Sequence, residues 1–371
     1  MNDTARSNAL TAYRESLLRL LPWLIVALAL VQGLLQTAFF GPPTKDEDEL
    51  LRWAAELRWG AGDHPTLPSN IGWLLNQLGV EPVEYLRFSR QLLIAGAVLL
   101  VRAALFRWTD DEVTAWIGAL SLALVDNIRG KTLVAYFHMP FVIFAMALLL
   151  YVVARLSVRK STSGYFALGL TIALIFNSKY NGILMPVVIG VMAAFDAVAR
   201  RIVLDTRILI SLAVAAALCA PALIWNYFNR QVVESSFGKY RFGADISTSI
   251  FELLDAYRTD LDIGFILLVV VFGYWLLAGR AQRAPFAASP EMRFLVNYAL
   301  VFFALAVTIV LVAQAGRVNE RWIIPGTMFL AVLIGVACAA LLRPGERLLL
   351  LSAFVVYWTA NQVWVFVRYV E

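Results

Sequence analysis

Apolar runs too long for the core of a water-soluble domain recur along this chain, and they restrict what it can fold into. About eleven can be placed, at residues 17–39, 91–106, 113–127, 139–156, 165–177, 182–199, 208–227, 263–277, 294–313, 322–342 and 348–370. A helix crosses the hydrocarbon layer in roughly 20 residues. Inside that layer every backbone N–H and C=O has to be satisfied within a helix or a closed barrel. The runs therefore predict an all-α integral membrane bundle of about eleven transmembrane helices. Charged residues are only 15% of the chain, against about a quarter in a globular domain. One membrane domain over residues 1–371 is expected, with no soluble domain at its C-terminal end.

The loops between the runs alternate in character. Arg155, Arg159 and Lys160 fall in or beside one loop, and Arg200, Arg201 and Arg207 in another. Arg280, Arg283 and Arg293 share a third, and Arg343 and Arg347 a fourth. Counting runs puts all four on the side of the N-terminus, which carries Arg6, Arg14 and Arg19. By the positive-inside rule that side is cytoplasmic. The net charge of +5 is thus accounted for by short topogenic loops, and no nucleic-acid partner is expected. The first apolar run follows Asp3 and Glu15 without a small-residue cleavage site, so it reads as a retained span. Cys219 and Cys338 lie inside apolar runs and predict neither a disulfide nor a metal site.

The opposite side holds the longer and chemically mixed loops, 40–90, 128–138, 178–181, 228–262 and 316–321. Long loops with specific polar content commonly carry function, so the active face is expected to be periplasmic. The first of these loops opens on Asp46, Glu47, Asp48 and Glu49. A carboxylate there stands at the membrane–water boundary, where it can act as a general base or cap the following helix. Residues 49–59 place Leu50, Trp53, Ala54 and Leu57 on one helical face, which suits an interfacial helix with Trp53 and Trp59 at the boundary. Asp63 and His64 could contact a sugar or form a plain turn. His64 and His138 are the only histidines and show no metal-ligand spacing. No metal or other cofactor is expected, although the acidic cluster would admit a divalent ion.

Four cationic positions on this side merit attention. Arg129 and Lys131 lie in an outer loop, where positive charge is ordinarily depleted. They suit either a phosphate or simple solvation. Lys179 and Tyr180 interrupt apolar sequence on both sides. They could meet a phosphate and a sugar, or form a turn with Lys179 snorkelling. Arg321 stands at the start of a late span beside Glu320, either as a phosphate fork or as one half of an ion pair.

Taken in order, these segments resemble bacterial glycosyltransferase family 39, membrane enzymes of the GT-C fold. The first outer loop, DEDELLRWAAELRWGAGDHPTL, resembles the family's DEAxYxxWAQxLxWGYxDHPPL or DEAEQLxWAQxLxWGYGxQPPLY and keeps that register without a gap. Asp46 and Glu47 fall on its acidic pair, and Glu49, Trp53, Trp59, Gly60 and Pro65 align. NSKYNGILMP, APALIWNYFN and NERWIIPGTMFL resemble three further family segments. His138 resembles a histidine of the branch that adds galacturonic acid to lipopolysaccharide. Thr66 departs from the pattern where the family has a second proline.

The resemblance implies a GT-C-like bundle whose first outer loop, 40–90, carries interfacial helices. It also implies an inverting transfer from a polyprenyl-phosphate-linked sugar to a glycan, lipid or protein acceptor at the outer face of the bacterial cytoplasmic membrane. Asp46 would be the base, supported by Glu47. Lys179, Arg321 and Lys131 would bind the donor phosphate, and Asp63, His64, His138 and Tyr180 the substrate. A lipid or sugar transporter, or a non-catalytic subunit of a glycan-synthesis complex, is the competing expectation from the composition alone.

Overall fold

The computed structural model describes residues 3–60, 64–237, 243–277 and 289–370. Helix α1 (Asp3–Phe39) is followed by two short helices, α2 (Lys45–Trp53) and α3 (Leu67–Gln77), which lead into α4 (Pro82–Thr109). Helix α5 (Glu112–Leu120) continues through a tight turn into the small α6 (Asp126–Arg129) and α7 (Lys131–Val134). Next come α8 (His138–Val158), α9 (Thr162–Ser178), α10 (Leu184–Met192), α11 (Ala197–Val203) and α12 (Ile208–Phe228). The chain then forms α13 (Arg230–Phe237), α14 (Ile246–Asp260), α15 (Asp262–Leu277), α16 (Pro290–Ala313), α17 (Glu320–Leu341) and α18 (Pro344–Val370).

Burial divides the long helices into two kinds. In α17, 78% of the most apolar window is buried inside the protein, but only 22% in α12 and in α16. Helices α4, α5, α8 and α17 form the centre, through Val98, Val101, Trp116, Ile143, Ala147 and Ile324. Glycine permits the closest approach. A Cβ on Gly335 of α17 would lie 2.7 Å from the Ser121 Cβ and 3.1 Å from the Gly118 Cα. Small residues let helix backbones meet in this way within a membrane. On the outside, Leu209, Leu212 and Ile224 of α12 are exposed along the helix. Such an apolar face is stable against lipid tails and would be costly in water. This is a multi-pass membrane protein.

All eleven apolar runs are helical, but they are not eleven straight crossings. Among the described residues seven helices are long and apolar enough to span a membrane, or nine if each bent pair counts once. The segments Glu112–Leu124 and Thr162–Ser178 are shorter. Helices α10 and α11 meet at 103°, because Asp196 caps α11 at the Ala199 N–H (2.9 Å) and accepts a hydrogen bond from Asn297 of α16 (2.9 Å). Helices α14 and α15 meet at 71°. The junction is anchored by Asp260, which accepts from the Asn127 N–H (3.0 Å), the Asn127 side chain (2.9 Å) and the Thr327 hydroxyl (2.6 Å).

Ion pairs join loops within each of the two sets defined by the sequence. At one end Asp205 holds Lys160 (3.0 Å) and Arg207 (2.9 Å), and Asp111 holds Arg347 (3.0 Å). At the other, Arg129 binds Asp126 (2.8 Å), Asp262 (3.2 Å) and the Tyr357 hydroxyl (3.1 Å). The Arg129 guanidinium is therefore a brace for the α14–α15 bend and α18 rather than an uncommitted phosphate ligand.

Candidate active site

Helix α2 presents the acidic cluster, and its start is encoded locally. The Thr44 hydroxyl accepts from the Glu47 N–H, and the Glu47 carboxylate accepts from the Thr44 N–H (2.8 Å), a reciprocal capping box. The helix ends at Trp53, earlier than the 49–59 pattern suggested. The Arg58 main chain is instead held by Asn70, which accepts from its N–H (3.1 Å) and donates to its C=O (2.6 Å). Leu50 and Ala54 are buried, whereas Leu57 and Trp59 are exposed.

The two leading acids do different things. The Glu47 side chain is 1% exposed. It accepts from Arg90 (2.7 Å), and the Arg87 Nε lies 3.6 Å away. Arg87 also donates to the carbonyls of Gln36 (3.0 Å), Phe40 (3.3 Å) and Gly41 (3.0 Å) at the end of α1. Glu47 is thus the centre of a buried clamp joining α1, α2 and α4. Asp46, one residue earlier, is half-exposed and faces Arg321, with Nη1–Oδ2 3.6 Å.

Arg321 is positioned by its own helix start. The Asn319 side chain accepts from the Arg321 N–H (3.0 Å), capping α17. The guanidinium lies 3.6 Å from the Tyr136 ring centroid, a close cation–π contact. Two residues on, the His138 ring packs 3.8 Å from Phe137 and 4.6 Å from His64, centroid to centroid. Trp53 borders both imidazoles at 6.0–6.2 Å. Lys179 follows the end of α9, with its Nζ 3.3 Å from the Met139 sulfur. The charges of His64, Lys179 and Arg321 all act on His138.

The chain therefore brings together Asp46, Arg321, Lys179, His64 and His138 from four separate segments, with Glu47 beneath. Tyr180 turns to α12, where its hydroxyl donates to the Asn226 Oδ1 (3.2 Å). Lys131 is exposed at the first residue of α7. Among the described residues no hydrogen bond or ion pair joins it to Asp46 or Arg321. Asp63 lies outside the described residues. Among those described, no group of three or more His, Cys, Asp or Glu gathers to hold a metal ion.

Sequence reading missed Arg87, Arg90 and Tyr136. The two arginines could have been found. They sit three residues apart on one face of a helix that turns apolar immediately afterwards, and buried arginines demand acidic partners. A cleft of about 300 Å³ opens beside the site between Trp59, Thr66 and Asn70 of the first loop and Leu174, Leu218 and Pro221 of α9 and α12. Gly60 lets Trp225 close one side of this region, since a Cβ there would lie 2.0 Å from the indole.

Residues 63–225, less than half of the chain, match the dolichyl-phosphate-mannose-protein mannosyltransferase family. The lipopolysaccharide core galacturonosyltransferase RgtA of Rhizobium johnstonii is 29% identical over 290 residues, covering 77% of this chain and 58% of that protein. The lipid A galacturonosyltransferase RgtD of the same organism is 28% identical over 187 residues, 49% of this chain and 38% of its own. The chain thus spans little more than half the length of the first of these relatives. The crystal structure of ArnT from Cupriavidus metallidurans bound to undecaprenyl phosphate superposes with a TM-score of 0.60 at 17% identity, over 94% of this chain and 69% of that one. The chain thus has the GT-C fold of a membrane protein, and in sequence it is similar to the dolichyl-phosphate-mannose-protein mannosyltransferase family and to bacterial lipopolysaccharide galacturonosyltransferases.

Proposed function

We propose that this protein is an inverting glycosyltransferase that moves a sugar from a polyprenyl-phosphate donor to an acceptor at the outer face of the bacterial cytoplasmic membrane. The observation that carries the reading is the meeting of Asp46 with Arg321, beside Lys179, at one end of the bundle. Asp46 takes the proton of an acceptor hydroxyl as that oxygen attacks the anomeric carbon. The bond from that carbon to the phosphate oxygen breaks on the opposite face, which inverts the centre. The electron pair leaves with the polyprenyl phosphate, whose charge Arg321 and Lys179 stabilise. Lys131 is a further candidate for the phosphate, and Asp63 and Tyr180 remain candidates for the sugar.

The arginine-bearing loops support an N-terminus in the cytoplasm and an active face in the periplasm. The names of the relatives support a uronic acid as the sugar and a lipopolysaccharide core or lipid A as the acceptor. The test is incubation of the purified protein with radiolabelled polyprenyl-phosphate sugars and a membrane-lipid acceptor extract. Label should move into the acceptor, and Asp46→Asn should reduce the rate by about 10²–10⁴-fold. Its unfolding temperature should stay within the small range expected for a half-exposed pair. Wild-type rates in a folded Asp46→Asn protein would remove the base assignment. Absence of transfer from every donor would remove the enzyme reading.

A further inference from the structure

We propose that a cleft at the end of the bundle opposite the candidate active site binds the head group of a zwitterionic phospholipid with a primary amine, of the phosphatidylethanolamine class. The inference stands apart from the transferase reading, and its test involves no sugar transfer.

The cleft lies where three long helices stop or start. Helix α4 begins beside the active site, where Arg87 holds the end of α1, and Asp110 caps its other end. At the rise of an α-helix those two residues are about 35 Å apart. The Asp110 backbone is in the left-handed region, with φ 50°, a place where glycine is most easily accommodated. Asp110 and Asp111, in the turn between α4 and α5, line a cavity of about 480 Å³ together with Arg14 of α1 and Arg347 of α18. Buried Val113 and Leu348 add apolar surface to the lining. Sites for small molecules have volumes of roughly 300–1,000 Å³.

Two of the four charges are committed. Asp111 accepts from the Val113 N–H (3.1 Å), the Thr114 hydroxyl (2.7 Å) and the Arg347 Nη1 (3.0 Å). The Arg347 Nε donates to the Leu342 carbonyl (3.0 Å). This pair is fixed in place and balanced, and among the described residues no hydrogen bond engages the Arg347 Nη2. Nor, among the described residues, does any side-chain hydrogen bond or ion pair engage Arg14 or Asp110. Opposite charges that share one cleft without meeting leave room for a ligand that answers both.

The ligand therefore carries one anionic and one cationic group. A phosphodiester suits Arg14 and the Arg347 Nη2, because guanidinium nitrogens match phosphate oxygens. A primary ammonium suits Asp110, because it brings three N–H donors to the carboxylate. A choline head group has no N–H to give, and a glycerol head group has no cation. Leu20 on α1 and Leu349 on α18, 61% and 73% exposed, continue from the cleft along the same two helices and offer a surface for acyl chains. This apolar continuation favours a lipid over a soluble ester of the same charges. The arginine-bearing loops lie at this end, so the positive-inside rule assigns the lipid to the inner leaflet, where clefts between spans take lipid head groups.

The test uses the full chain in detergent, with lipid binding and unfolding temperature read together. The probes are phosphatidylethanolamine, phosphatidylcholine and phosphatidylglycerol with identical acyl chains, and water-soluble glycerophosphoethanolamine. The wild-type protein should bind phosphatidylethanolamine tighter than either other lipid by about fivefold or more, and its unfolding temperature should rise most with that lipid. Arg14→Gln should weaken this binding. Asp110→Gly removes the carboxylate and suits the left-handed backbone, so the lipid-free protein should be at least as stable while the preference over phosphatidylcholine disappears. Arg159→Gln removes a charge from the same end of the bundle and should leave the preference unchanged.

Equal binding of phosphatidylcholine or phosphatidylglycerol by the wild-type protein would overturn the proposal. So would a preference that survives both Arg14→Gln and Asp110→Gly, or one that Arg159→Gln abolishes as well. Glycerophosphoethanolamine bound as tightly as the whole lipid would give the cleft to a soluble ligand and overturn the lipid assignment.

Discussion

Removing the charge of Glu47 tests the clamp beneath the site. Glu47→Gln keeps the size and one acceptor of the side chain but leaves the Arg90 guanidinium, whose side chain is 0% exposed, without a counter-charge. Breaking a buried pair by neutralising one partner costs about 3–5 kcal/mol. Part of this cost is the charge-assisted hydrogen bond at 2.7 Å, worth roughly 1.5–3 kcal/mol. At about 2 °C per kcal/mol for a chain of this size, the unfolding temperature should fall by roughly 6–10 °C. Fluorescence-detected size-exclusion after a temperature series measures it in detergent. The double variant Glu47→Leu, Arg90→Met replaces the pair by apolar groups and should recover much of the loss. Catalysis should not recover with it, because α2 loses the anchor that aims Asp46. An unfolding temperature within about 1 °C of wild type for Glu47→Gln, at a cost below about 0.5 kcal/mol, would refute the buried-clamp reasoning. A double variant no more stable than Glu47→Gln would refute the electrostatic part of it.

Two further outcomes follow from other parts of the molecule. Asp260→Ala leaves the Asn127 and Thr327 donors buried without their acceptor; at about 1–3 kcal/mol per unpaired group, it should destabilise the protein by more than the Thr327→Val change alone, as read by thermal unfolding. Asp205, in the loop before α12, is held below the usual carboxylate range by hydrogen bonds from Arg207 and then Lys160. A depressed folded value contributes stability above the unfolded pKa of about 4 that is lost as pH falls toward the folded value. The unfolding temperatures of wild type and Asp205→Asn should therefore differ at neutral pH and converge in acid.

The sequence disclosed the bundle because lipid imposes one simple requirement, a long apolar helix, and the chain meets it repeatedly. It did not disclose which runs bend. The breaks at Asp196 and after Asp260 depend on Asn297 and Asn127, partners that lie about a hundred or more positions away. Much of the site was readable from polar residues in unlikely places, with Asp46, Lys179, Arg321 and His138 drawn to one end. Local pattern could not separate residues that share a motif. Lys131 at a loop edge and Tyr180 in a hydrogen bond to Asn226 have surroundings that their motifs did not foretell. Arg129 looked unusual for its side of the membrane, and its charge is consumed by Asp126 and Asp262. The clamp on Glu47 was also invisible, since it depends on which carboxylate Arg87 and Arg90 reach.

The grip of Arg87 on the last carbonyls of α1 also bears on bilayer thickness. It rivets the water-side end of the first span to α4, directly below the acidic helix. Helices adjust to thicker or thinner membranes by tilting and by letting their flanks slide. Here that freedom is removed on one side, so Asp46 rides at a constant height above the two joined spans. The altitude of the Asp46 carboxylate is then an intrinsic dimension of the protein. Under the proposed function, a lipid-borne donor has to present its head group at that level, whatever the depth of the surrounding bilayer.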